Sequence, residues 1–144
     1  MKIIKKIAAI NEEESITIIA RDGNEKVKKV LEILESDNDL ILSLDNKNIK
    51  LPASAVYYIE SMDFKTYVYA EKEVYLSRLR LYEIEGVLPQ ADFLRINRQS
   101  ILNLRKIASV ASAGGGRIEV YLKSGDRLIV SRQYAPLLKE RFGL

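Results

Sequence analysis

The chain has 144 residues, 47% of them hydrophobic, with 23 Lys and Arg against 20 Asp and Glu for a formal net charge of +3. That length suits one ordinary domain with a small appendage, and the apolar content suffices for a core without staples. Cysteine, histidine and tryptophan are absent, which excludes disulfides, thiolate chemistry, the usual general base and the usual zinc ligand.

The charge is unevenly placed. Residues 1–50 hold 9 basic and 10 acidic side chains, whereas residues 92–144 hold 10 basic and 4 acidic. Arginine outnumbers lysine in that last third, which points to an anionic partner for the C-terminal part alone. No stretch approaches 18 consecutive apolar residues, and the N-terminus lacks a long apolar segment, so a soluble cytoplasmic protein is expected.

In chain order, residues 1–10 alternate loosely, as an edge strand or arm would. Ser15 to Ala20 is β-branched and predicts a strand. Asn24 can cap the helix that follows, in which Val27, Val30, Leu31 and Leu34 form one apolar stripe. Ser36-Asp-Asn-Asp39 stops it, and Leu40 to Leu44 predicts a strand. Residues 1–44 thus read as a strand–helix–strand lead-in serving dimerisation or partner control, too short for a phospho-accepting receiver. Residues 45–144 read as a second, mostly β domain. Strands are expected near Tyr57–Glu60, Thr66–Ala70 and Val74–Leu76, as an antiparallel meander. A helix carrying Leu81, Ile84 and Leu88 ends at Pro89. Ile107–Ala111, Ile118–Leu122 and Leu128–Val130 predict further strands around Gly114-Gly-Gly116 and Ser124-Gly-Asp126, with Gly114-Gly-Gly116 read as a flexible hairpin loop. Ser131 is expected to cap a last helix bearing Tyr134, Leu138 and Phe142, with Gly143 as its C-terminal glycine. The fold class is mostly β (α+β).

The informative stretch is Phe93 to Lys106. Apolar and polar residues alternate through Asn97 and Arg98; the pattern then shifts to Ile101, Leu102, Leu104 and Ile107, as for a strand running into a turn of helix. Arg95, Arg98, Arg105 and Lys106 would project from this frame, with Asn97, Gln99 and Asn103 among them. Guanidinium forks beside amides suit phosphates and base edges.

With Pro52-Ala-Ser-Ala-Val-Tyr-Tyr-Ile-Glu60, Phe93-Leu-Arg-Ile-Asn-Arg-Gln-Ser-Ile-Leu-Asn103 and Leu128-Ile-Val-Ser-Arg132 in this order, residues 45–144 resemble a LytTR domain, a β-rich DNA-binding module of bacterial transcription regulators. Most relatives carry a receiver ahead of the module. This lead-in resembles that of short stand-alone members, some of which are held inactive by a small membrane protein made alongside them. The resemblance implies loops laid into successive major grooves. It places Lys65 and Thr66 at a first contact site, Asn97 and Arg98 with Arg95 behind them at a second, and Arg132 and Gln133 at a third. Gln99-Ser100 departs from the usual Ser-aromatic pair, and Gln133 stands where a second arginine is common. Both departures bear on base preference, since Gln favours adenine edges and Arg guanine.

Each residue also has a plainer reading. Arg95 could pair with Glu60 or Asp92 and merely hold the loop, and Asn103 could satisfy local backbone. Lys65 would contact phosphate, adding affinity but little sequence information. Tyr57, Tyr58, Tyr67, Tyr69 and Tyr75 could stack on bases or be half-buried sheet residues. No assembled acid–base pair suggests catalysis, and no metal or cofactor is expected. The expectation is therefore a sequence-specific regulator of double-stranded DNA acting as a homodimer. The alternative is a protein-interaction module whose basic face meets an acidic or membrane partner.

Overall fold

A computed structural model describes residues 1–7, 9, 12, 15–35 and 38–144, with the side chains of 32, 33 and 35 left aside. The chain divides into two units, Met1–Ser36 and Asp37–Leu144.

In the first unit, helix α1 spans Glu25–Glu35. Asn24 caps it as expected: its Oδ1 accepts from the Val27 N–H at 3.2 Å, and its carbonyl from the Lys28 N–H at 3.0 Å. Val30, Leu31 and Leu34, the expected stripe, are exposed within the described residues. The expected strand Ser15–Ala20 is not formed, and Ile16, Ile18 and Ile19 are exposed. β-branched residues favour extended backbone, but a strand needs a partner to pair and bury against. Ala8, Ile10, Ser36 and Asp37, which fall in the expected arm and helix stop, lie outside the described residues.

The second unit begins earlier than residue 45, because the strand expected at the end of the lead-in belongs to its sheet. Strand β1 (Asp39–Leu44) pairs antiparallel with β2 (Lys47–Pro52) through the turn Asp45-Asn46, whose φ angles of 50° and 63° suit Asp and Asn. A 3-10 turn at Ala53–Ala55 leads to β3 (Tyr58–Met62), β4 (Lys65–Tyr69) and β5 (Val74–Ser77), the expected antiparallel meander. Helix α2 (Leu81–Val87) buries Leu81 and Ile84, with Leu88 just beyond it. Strands β6 (Phe93–Asn97) and β7 (Ser100–Asn103) complete a seven-stranded sheet of order β2-β1-β5-β4-β3-β7-β6. After a 3-10 turn at Leu104–Lys106, β8 (Ile107–Gly114), β9 (Arg117–Leu122) and β10 (Arg127–Val130) form a second, three-stranded antiparallel sheet. Helix α3 (Ala135–Phe142) ends on Gly143 at φ 82°.

Phe93 to Lys106 is thus a hairpin and then a 3-10 turn, not a strand entering a helix. Two cores explain the misleading pattern. Phe93 and Ile101 pack with Leu42, Val56, Ile59, Val68 and Ile84, whereas Leu94, Ile96 and Leu102 pack with Ile118, Val120, Val130 and Leu138. Strands β6 and β7 are therefore covered on both faces, and all four residues of β7 are buried. A strand buried on both sides loses the period-2 signature and cannot be told from a helical segment by pattern. Its consequence is a stiff base from which the β6–β7 turn projects.

Candidate nucleic-acid interface

Four residues make that turn, and its backbone is held from three directions. Asn97 Oδ1 accepts from the Gln99 N–H at 2.8 Å. Arg95 donates from Nη1 to the Arg98 carbonyl at 2.8 Å, while its Nε donates to Glu85 Oε2 on α2 at 2.9 Å. The Ser61 N–H donates to the Gln99 carbonyl at 2.8 Å, tying the turn to β3. Arg98 and Gln99 are left exposed at the tip, and the Arg98 guanidinium makes no hydrogen bond or ion pair among the described residues.

Arg95 therefore bonds neither Glu60 nor Asp92; its partner is Glu85, and its side chain is 21% exposed. Two fixed acceptors make it a brace for the turn. Asn97 is similarly engaged, since its Nδ2 also reaches the Ile129 carbonyl at 3.4 Å. Asn103 is buried, donating from Nδ2 to the Val56 carbonyl at 2.7 Å and accepting from the Arg105 N–H at 3.0 Å, so it serves local backbone.

Beside this turn stands the β3–β4 hairpin, a two-residue loop of Asp63 and Phe64 with φ of 51° and 64°. Lys65 is exposed; Thr66 is only 4% exposed. Thr66 pairs with Ser61 on one side and Ser77 on the other, so strand alternation turns it inward. As a contact residue it is the poorest of the expected set, and Phe64, fully exposed at the tip, occupies the position from which a ligand could be touched. Between the two loops lies an open depression lined by Ser61, Phe64, Thr66, Arg80, Tyr82, Arg95 and Arg98. Arg80, just before α2, is a cation of this surface that sequence reading missed, because a helix-entry residue carries no pattern of its own.

On the other side of the turn is the segment after β10. The Ser131 N–H donates to the Ile96 carbonyl at 2.9 Å, and the Ser131 carbonyl accepts from Tyr134 and Ala135 at 3.0 and 2.9 Å. Ser131 is thus a turn former and not the helix cap: α3 starts at Ala135 with Pro136 in its first turn. The turn presents Arg132 and Gln133 to solvent, where they line a second depression with Asn97, Arg98, Gln99 and Tyr134. Arg98 lines both depressions. Through Arg98 the three expected loops adjoin, with Phe64, Arg98, Arg132 and Gln133 outward and Arg95 and Asn97 bracing the central turn, while Lys65 is exposed beside the Phe64 tip without lining either depression.

Arg105 and Lys106 do not join it. Arg105 Nε donates to Asp92 Oδ1 at 2.7 Å, and Lys106 Nζ sits 5.0 Å from the Tyr57 ring centroid, a cation–π distance. Of the expected tyrosines, Tyr57 and Tyr58 are buried, Tyr67, Tyr69 and Tyr75 are half-buried sheet residues, and Tyr58 stacks on Tyr69 with centroids 4.2 Å apart. Burial raises the Tyr58 and Tyr69 hydroxyls above their ordinary range, with nearby Asp126 and Glu60 adding to it respectively. Among the described residues no cluster of three or more acidic side chains could hold a metal ion, and no helix is long and apolar enough to cross a membrane.

Comparison with known proteins falls on the same unit. Residues 46–143 match the family described as the LytTr DNA-binding domain. A Staphylococcus aureus (strain NCTC 8325) protein described as an uncharacterized HTH-type transcriptional regulator is 28% identical over 147 residues, spanning 100% of this chain and 99% of that protein. The sensory transduction protein LytT of Bacillus anthracis is 29% identical over 101 residues, which cover 70% of this chain but 41% of LytT. In structure, the LytTr DNA-binding domain of a putative methyl-accepting/DNA response regulator from Bacillus cereus superposes with a TM-score of 0.71 at 29% identity, covering 76% of this chain and 100% of that domain. The three helices here are separated by strands, so the described residues contain no helix–turn–helix pair. A family match over most of the chain and a shared antiparallel fold identify it: the chain belongs to the LytTR family of DNA-binding domains.

Proposed function

We propose that the protein is a sequence-specific regulator of transcription that binds double-stranded DNA as a homodimer on repeated sites, in the cytoplasm. The observation that carries this reading is Arg98: an exposed guanidinium with no partner of its own, on a turn whose backbone is fixed by Arg95, Asn97 and Ser61. A guanidinium left unpaired on a fixed backbone is what reading a base edge requires, because the cost of ordering the loop is met before binding. Arg132 and Gln133 would read a neighbouring position, and Lys65 would meet phosphate. Guanine for the arginines and adenine for Gln133 are the favoured edges. Nothing in this reading needs catalysis or a cofactor.

The exposed stripe of α1 supports a role for the first unit in joining two copies, since a helix with one apolar face needs that face covered. The same stripe also suits partner control of the first unit, as by a small membrane protein that sequesters the regulator. Selection of binding sites from random duplex DNA tests the main reading. It should return a repeated motif whose complex survives excess unrelated duplex and is not formed with the single strand. A chain that enriches no motif, or prefers the single strand, is not this kind of regulator.

A further inference from the structure

Gly116, which sequence reading leaves in a flexible loop, stands against one of the proposed contact residues. The β9–β10 ladder pairs Arg127 with Tyr121 and runs to Val130 opposite Ile118. Continuing that register two residues past its end sets Arg132 opposite Gly116. There the Arg132 stem lies across the glycine: a Cβ built on Gly116 would come within 2.8 Å of Arg132 Cγ and 3.1 Å of Cδ. Atoms at such distances overlap, and Cγ lies near the root of the side chain, so the arginine as a whole would have to move. Gly115 and Gly116 form the two-residue turn between β8 and β9, with φ of 63° and 80°. A Cβ on Gly115 would meet nothing within 4 Å.

We infer that Gly116 is a positioning residue for DNA recognition: its bare Cα is the surface over which Arg132 is laid toward the depression it shares with Arg98. The inference rests on the proposed reading of Arg132 as a DNA contact. Preorganisation of this kind acts by limiting the directions an arginine must give up when it binds. Positive φ explains a glycine at both turn positions; only the Arg132 stem explains why Gly116 has no room for a methyl group.

Gly115 supplies the internal control. Gly115→Ala and Gly116→Ala place the same side chain at a positive φ in one turn, so both carry a similar backbone penalty. The full-length variants and Arg132→Ala would be titrated against a selected duplex and a random one. Arg132→Ala should weaken the selected duplex by roughly five- to a hundredfold, the range typical of a base-contacting arginine. Gly116→Ala should lose a comparable factor in the selected-to-random ratio, Gly115→Ala should keep the ratio, and Gly116→Ala should cost nothing further in an Arg132→Ala background. If Arg132→Ala leaves the ratio intact, the reading of Arg132 fails and takes the inference with it. If Arg132→Ala loses the ratio but Gly116→Ala behaves as Gly115→Ala does, the positioning role alone is overturned. Should Gly116→Ala fail to fold, the unaltered protein decides: a proton–proton Overhauser contact between Gly116 Hα and Arg132 Hγ is expected, and its absence overturns the packing.

Discussion

Asn103 and Phe64 show how differently single residues serve this molecule. Asn103 is buried and fully employed, bridging the Val56 carbonyl and the Arg105 N–H. Asn103→Ala would leave the buried Val56 carbonyl and the half-buried Arg105 N–H without this partner, at a cost of about 1–3 kcal/mol, measurable by urea denaturation; an unchanged midpoint would mean that water replaces the amide. Phe64 does the opposite, standing in the left-handed region and fully exposed. An aromatic there is strained by about 1–2 kcal/mol, and strain kept at a loop tip points to use. Phe64→Gly converts the tip to Asp-Gly, the favoured hairpin turn. It should stabilise the fold by roughly 1 kcal/mol, the relieved strain less the added chain entropy. It should also weaken the specific DNA complex, where an apolar ring would contact a thymine methyl. A variant stabilised but undiminished in binding would make Phe64 an ornament of the turn.

At the scale of elements, the β3–β4 ladder sets two tyrosines face to face, and burial raises both hydroxyls above their ordinary value of 10.0. The folded state therefore holds protons that an unfolded chain would release. The stability linked to them is complete below about pH 10 and is lost as pH rises through the elevated folded values. Tyrosinate absorbance should show Tyr58→Phe removing the latest-ionising phase; an unaltered titration curve would contradict this. The elements also show what could be read beforehand. Strands β4, β5 and β9 alternate between more and less buried positions and were legible, as was the α2 stripe. Strand β7 was not, because cores on both faces erase its alternation. The strand expected at Ser15–Ala20 rested on propensity alone, and no described residue pairs with it. Of the site, residue type pointed to Arg98 and the LytTR resemblance to Lys65, Arg132 and Gln133, all of them exposed, but only coordinates reveal that Thr66 points inward, that Arg95 braces through Glu85, and that Arg80 joins the surface.

For the molecule as a whole, the basic surface lies entirely in the second unit, and the first offers an apolar stripe on α1. Leu31→Glu with Leu34→Glu should convert a dimer to a monomer in sedimentation and abolish cooperative binding to a repeated site, while affinity for a single half-site stays within a few-fold. Dimers that persist would move the association surface elsewhere. Regulation of this kind depends on whether the stiff turn at Arg98 reads sequence. The direct measurement is binding of Arg98→Ala and Lys65→Ala to selected and random duplexes across a range of salt. Arg98→Ala should lose about 1–3 kcal/mol on the selected duplex and flatten discrimination at one base position, whereas Lys65→Ala should weaken both duplexes alike and shallow the salt slope by about 1. Equal losses on selected and random DNA for Arg98→Ala would contradict base reading at this turn.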